Sequence, residues 1–278
     1  MKTLFFTLSV VLISSLSFGQ KLSLKWKTDT VFQVPESVLL DTKNNILYVA
    51  NIEGKSDGKD GQGFISKLSL DGKVENLRWV SGLDAPKGMG LVKNLLYVAD
   101  VTAVAVIDIT SGKIIAKHEI EGANFLNDVT TSAGGDVYIS DSGTGRIHII
   151  QKNGKPTLYF ESAELKRVNG LLALKDGLYV ADAGSGVNYK LSKDKKLSRF
   201  SETSAGADGI VMVGKDGYIV SSWGGEVFFV DASGKSHKML DTKEQKLNSA
   251  DIDFDAKTNT VFIPTFFGNS VMAYTFGK

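Results

Sequence analysis

Between Pro35 and the C-terminus the chain repeats one phrase: an apolar run, a polar turn and a second apolar run. Val168–Gly186, VNGLLALKDGLYVADAGSG, is the clearest copy, with its turn at Lys175–Gly177 and its second run ending at Asp182. Short apolar runs joined by a glycine-containing turn predict a β-hairpin. The phrase occurs six times, beginning at PESVLL (Pro35), PKGMGL (Pro86), LNDVTT (Leu126), VNGLLA (Val168), ADGIVM (Ala207) and SADIDF (Ser249). The second runs are ILYVAN, LLYVAD, DVYISD, GLYVAD, GYIVSS and VFIPTF. Most units add a third strand with a tight turn, as in VAVIDITSGK and EVFFVDASGK, and then a less regular fourth. No stretch holds a helical period for the length of an ordinary helix. Four short strands per roughly 40 residues describe a propeller blade, so six units predict an all-β, six-bladed β-propeller.

The sixth unit stops after its third strand, Ser270–Phe276. Residues Lys21–Phe32, KLSLKWKTDTVF, precede the first unit and alternate in polarity. They are expected to supply the missing outer strand of the last blade, closing the ring and removing an exposed edge. An open solenoid is the alternative.

The first residues read differently. Met1-Lys2 gives a positive start, Leu4–Leu16 an apolar stretch too short to span a bilayer, and Ser17-Phe18-Gly19 a small-residue exit. Residues 1–19 are therefore expected to be a secretory signal peptide, with residues 20–278 a single propeller domain, periplasmic or secreted. A buried first strand is the competing reading. Without Lys2 the basic and acidic side chains balance. No basic excess is present to hold a phosphate backbone, so nucleic acid is not an expected partner. No second long apolar segment follows, so a membrane is not expected either; a monomer acting on a small molecule is. The chain has no cysteine, which excludes disulfides, thiolate nucleophiles and thiolate-held zinc.

In a propeller each blade begins beside the central channel, so equivalent repeat positions are related by rotation. The second position of the phrase holds Glu36, Lys87, Asn127, Asn169, Asp208 and Ala250 in turn. Two carboxylates, two carboxamides and an ammonium thus converge where water is limited, which is costly unless they are satisfied. One divalent cation would satisfy Glu36, Asn127, Asn169 and Asp208 together. Oxygen-only ligation suits Ca2+, with Mg2+ and Mn2+ also admitted, better than Zn2+. The competing reading is a hydrogen-bonded polar plug with Lys87 as counter-charge.

On these residues, the chain from Pro35 to Phe276 resembles the senescence marker protein (regucalcin)/gluconolactonase/LRE-like family and, more distantly, the paraoxonases and strictosidine synthases. The resemblance implies that Glu36 of PES, Asn169 of VNGL and Asp208 of ADGI bind a divalent cation, with Asn127 of LND on its substrate side. It also implies hydrolysis of a lactone or related ester, the cation polarising the carbonyl or holding the attacking water. Asp208 would then be the general base. Two positions depart from the pattern. Sugar-lactone members carry Arg two residues before the blade-three Asn; Phe125 here implies a less polar substrate. Paraoxonases carry a catalytic His in blade two, where this chain has Lys87. Lys87 could titrate low and act as a base, or pair with Glu36 or Asp208; both readings stay open.

The loop Asn51–Gly63, NIEGKSDGKDGQG, is expected on the face of Glu36, as a mobile lid or a tolerated surface insertion. Its acidic residues lack EF-hand spacing. Trp223, Phe266 and Phe267 end second strands at the same face. They could form an apolar substrate wall with Phe125, or pack between blades. Asp100, Asp141 and Asp182 are expected to cap turns, and Asp128 and Asp251 to orient the ring ligands. No G-x-S-x-G elbow or HExxH helix is present, and His118, His148 and His237 fall in third or outer strands. Two functions follow. One is a cation-dependent hydrolase of a lactone, ester or related small molecule. The other is a non-catalytic NHL-like propeller, with a structural metal, that binds a partner or small ligand.

Overall fold

Each apolar run becomes a strand because its side chains have two surfaces to fill, one toward the preceding blade and one toward the next. The computed structural model describes residues 20–152, 154–215 and 217–277; the signal-peptide reading of residues 1–19 lies outside them. Six antiparallel four-stranded sheets form a ring. The N-terminal strand is β1 (Lys21–Lys27). Blade one comprises β2 (Pro35–Asp41), β3 (Ile46–Asn51), β4 (Gly63–Ser69) and β5 (Val74–Leu83). Blade two comprises β6 (Pro86–Val92), β7 (Leu95–Asp100), β8 (Ala103–Asp108) and β9 (Lys113–Glu119). Blade three follows with β10 (Leu126–Thr131), β11 (Val137–Asp141), β12 (Arg146–Ile150) and β13 (Thr157–Glu161). Blade four has β14 (Val168–Leu174), β15 (Gly177–Asp182), β16 (Val187–Ser192) and β17 (Leu197–Glu202). Blade five has β18 (Ala207–Val213), β19 (Gly217–Ser222), β20 (Glu226–Val230) and β21 (Ser236–Asp241).

Blade six contains β22 (Asp253–Asp255), β23 (Thr260–Pro264) and β24 (Val271–Gly277), and β1 completes it. Lys21 lies opposite Gly277 and Lys27 opposite Met272, antiparallel across the closure. The all-β six-bladed propeller with an N-terminal closing strand is therefore the observed fold.

The core sits between blades. Tyr48, Ile65 and Leu83 of blade one pack against Met89, Leu96 and Ile107 of blade two, and similar clusters join the following pairs. Each such fully buried aliphatic side chain contributes about 1.5–3 kcal/mol.

Blade six departs from the expected pattern in two places. Its first strand shrinks to Asp253–Asp255 because the preceding residues bond elsewhere. The Asp251 amide donates to the Glu36 carbonyl at 3.0 Å, and the Val38 amide donates to the Asp251 carbonyl at 3.3 Å. This parallel bridge to β2 joins the last blade to the first beside the channel. The second run stops at Pro264, and Phe266–Gly268 forms a 3-10 turn rather than strand. Phe266 takes a left-handed backbone there, with φ of 47°, which is uncommon for a bulky side chain.

Candidate metal and substrate site

Innermost strands can bring ring side chains together only if their backbones approach closely. Gly170 permits this between β14 and β18: a Cβ there would lie 1.8 Å from the Asp208 carbonyl oxygen. The approach sets Asn169 Nδ2 3.0 Å from Asp208 Oδ1. At this end of the channel Glu36, Lys87, Asn127, Asn169 and Asp208 line one cavity of about 320 Å3 together with Phe125, Trp223 and Phe266. Ala250, the sixth ring position, packs instead with Ile52, Ala85, Val101 and Phe266.

The carboxamides have their donor ends held by the protein. Asn169 donates to Asp208, and Asn127 Nδ2 donates to Ser142 Oγ at 3.1 Å. Their carbonyl oxygens remain as acceptors for a ligand. Glu36 is only 5% exposed, and its Oε2 is buried without a hydrogen-bond partner. Burial, followed by the negative charge of Asp208, pushes the Glu36 carboxyl well above its ordinary range, with Lys87 opposing. Asp208 is pushed up to about 8, by burial first and then by the charge of Asp128; the Asn169 hydrogen bond acts the other way. Two buried acids this close resist ionising together unless a counter-charge enters.

The residues fit a hard divalent cation: two carboxylates, one of them with the orphaned buried oxygen, and two carboxamide oxygens. Among the described residues, no group of three or more His, Cys, Asp or Glu side chains is arranged to hold a metal ion. The ring set is different in kind, because carboxamides complete it.

Lys87 is 1% exposed. Its Nζ donates to the Ala85 carbonyl at 3.0 Å and lies 4.5 Å from the centre of the Phe125 ring. An ion pair with Glu36 or Asp208 does not form among the described residues; a carbonyl and an aromatic face hold the ammonium instead. Burial lowers its pKa to about 8, against the pull of Glu36.

An aromatic wall closes one side. Trp223 is 41% and Phe267 66% exposed, so neither is consumed by packing between blades. Trp223 meets Phe266 edge-on at 5.5 Å. The loop after β3 lies on this face, with Ser56 in the cavity lining. Lys59 Nζ donates to Thr102 Oγ1 at 2.6 Å and the Gly61 amide to Asp84 Oδ1 at 3.1 Å, tying the loop to blade two.

Arg167 also lines the cavity, and sequence reasoning missed it. The signal was available: Arg167 precedes Asn169 by the same two residues that separate Phe125 from Asn127. The aspartates at the ends of second strands fix these positions. Asp100 accepts from the Ala85 amide at 2.9 Å, Asp141 from the Phe125 amide at 2.9 Å and Asp182 from the Arg167 amide at 3.3 Å. The same turn cap thereby recurs in blades two, three and four.

Asp128 and Asp251 do not orient ring ligands. Asp128 accepts from the Leu171 and Val129 amides, each at 2.6 Å. Asp251 accepts from Ser37 Oγ at 2.8 Å. With Asp253 these acids border a cavity of about 400 Å3 at the opposite end of the channel. That cavity is larger, but its carboxylates are satisfied by the protein itself. His118, His148 and His237 lie in β9, β12 and β21, away from the site.

No protein-family model matches the sequence, and no curated protein matches it. Solved structures resemble its fold. Virginiamycin B lyase from Staphylococcus aureus, in a catalytically inactive histidine-to-alanine form with quinupristin, is 14% identical with a TM-score of 0.67. That match covers 92% of this chain and 99% of the other. A gluconolactonase from Xanthomonas campestris is 15% identical with a TM-score of 0.68, covering 88% and 87%. A chain of a nidogen/laminin complex is 16% identical with a TM-score of 0.61, covering 76% and 82%. At such identities the likeness establishes the fold.

Proposed function

We propose that the protein is a divalent-cation-dependent hydrolase of a lactone, ester or related small molecule. The observation that carries this reading is the buried, unpartnered Oε2 of Glu36 within a set of two carboxylates and two carboxamides lining a ligand-sized cavity. Glu36, Asn127, Asn169 and Asp208 would hold the cation, Ca2+ being best suited. When bound, it supplies positive charge for the substrate carbonyl and the oxyanion that forms from it.

The chain's own residues have separable tasks. Phe125, Trp223 and Phe266 present apolar surface to the substrate and exclude water from one side. Lys87 is the residue we assign to move the proton. An Asp208 carboxylate facing a cation is a weak base, whereas a buried amine with a pKa of about 8 is partly neutral near that pH. Water attacks the carbonyl carbon, its proton passes to Lys87 Nζ, and Lys87 returns it to the leaving oxygen as the acyl C–O bond breaks.

The gluconolactonase likeness is consistent with this chemistry. The lyase likeness bears less on it, because that enzyme is catalytically inactive with a histidine replaced by alanine, and no histidine borders this cavity among the described residues. The nidogen/laminin likeness and the exposed Phe267 favour a second reading, a partner-binding propeller with a structural cation.

Assay of a lactone and aryl-ester panel with calcium and with chelator separates the two. Turnover is expected only with calcium, is abolished in Asp208→Ala, and falls at least about 100-fold in Lys87→Met. No turnover anywhere, or turnover indifferent to chelator and to Asp208→Ala, would sink the hydrolase reading.

A further inference from the structure

One strong charge at the proposed site touches no protein group directly and acts on it only through space, opposing the rise of the Asp208 carboxyl. Arg167 lines the cavity, and its guanidinium makes no hydrogen bond or ion pair among the described residues. The other arginines at carboxylates are paired: Arg78 with Glu53, Arg146 with Glu161 and Arg199 with Glu202. Arg167 immediately precedes β14, in a bend whose backbone is clamped, since Asp182 accepts from the amides of Lys166 and Arg167. The side chain therefore leaves a fixed point at the cavity rim. The same cavity is lined by Trp223 and Phe266, whose rings meet edge to face, and the half-exposed Trp223 offers an aromatic face.

We propose that Arg167 selects a small molecule that carries a carboxylate on one side and an aromatic or flat apolar body on the other. A guanidinium binds a carboxylate through two parallel N–H donors, and an indole face receives a planar body of the kind that ring pairs adopt. The cavity, near the lower end of the usual ligand-pocket range, limits the body to about one ring. This deepens the hydrolase reading by naming the substrate class: the molecule turned over carries an acid group besides its ester or lactone. A neutral sugar lactone lacks both features. Lys87 does not serve as the anion's partner, because its ammonium is already held by the Ala85 carbonyl and the Phe125 ring.

Calorimetric titration with 4-phenylbutyrate and its neutral analogue 4-phenylbutyramide tests this without turnover. Measurements with chelator remove any contribution from a cation, and a parallel set with calcium restores it. With chelator the carboxylate should bind about tenfold more tightly than the amide, the worth of one charge-assisted bidentate contact. Arg167→Gln should equalise the two probes, and Arg167→Lys should retain part of the preference. Trp223→Ala should weaken both probes alike. Equal binding of the probes to the wild-type protein, a preference retained in Arg167→Gln, or no binding of either at millimolar concentration would overturn the proposal. A preserved carboxylate preference with no hydrolysis of any ester would instead overturn the hydrolase reading and leave Arg167 as the selector of a bound ligand.

Discussion

Glu36 and Asp128 lie in one channel, a single strand position apart, and each is 5% exposed. They are in opposite condition. Asp128 accepts two main-chain amides at 2.6 Å, one of them from the next blade, and so joins blade three to blade four. Asp253 does the same between blades six and one, accepting the Leu40 amide at 2.7 Å. Glu36 has an oxygen with no donor at all. Burial alone therefore does not mark a functional acid. Acids that the protein satisfies act as fasteners, whereas an acid left unsatisfied needs a ligand to justify its place.

The sharpest way to break this contrast is to remove one acid of each kind. Asp128→Ala leaves the Leu171 and Val129 amides without an acceptor and should cost about 3 kcal/mol, with or without calcium. Denaturant unfolding measures it; a loss near zero would end the fastener reading. Glu36→Gln should behave in the other direction. In chelator it replaces a buried acid whose Oε2 lacks a partner by a neutral side chain of the same size and should change stability by about 1 kcal/mol or less, toward greater stability. The rise in Tm on adding calcium should disappear in the same variant. A calcium shift equal to that of the wild type would remove Glu36 from the ligand set.

The smallest effect is the pH dependence of the cation-free protein. Asp253 is pushed up to about 6, Asp128 to about 7 and Asp208 to about 8, in each case by burial first. These values exceed those of an unfolded aspartate, about 3.9. The folded chain therefore keeps protons that the unfolded chain has already released. The stabilisation is complete below about pH 4 and is lost as pH rises through 6 to 8. Tm in chelator should fall across that window, and the slope left in a Glu36→Gln, Asp208→Asn double variant belongs to the fasteners. A rising Tm would contradict the assignment. Above about pH 8 Lys87, whose pKa is lowered, acts in the opposite sense.

The fold was legible because a propeller writes the same phrase six times, so an error in one copy is corrected by the others. The ring of Glu36, Asn127, Asn169 and Asp208 was legible for the same reason: register alone brings them to one cavity. Arg167 was equally accessible by register, and was missed because only the blade-three position, Phe125, was compared. Other features have no local signature. The shortened β22 results from pairing between Asp251 and β2, more than 200 residues apart. The turn at Phe266–Gly268 replaces an apolar run that reads as strand. Nothing in the sequence separates the satisfied Asp128 from the unsatisfied Glu36, since that difference depends on where the neighbouring amides point.

The closing contact between β1 and β24 also constrains the order of events during synthesis. β1 cannot find its partner until β24, on the far side of all the other strands in sequence, has been made, so ring closure is a late, long-range and slow step. Throughout that wait β1 is an unpaired edge able to template a wrong association. Its sequence answers this hazard. Lys21, Lys25 and Lys27 are all exposed along it, and like charges on a waiting strand discourage a second copy from pairing with it.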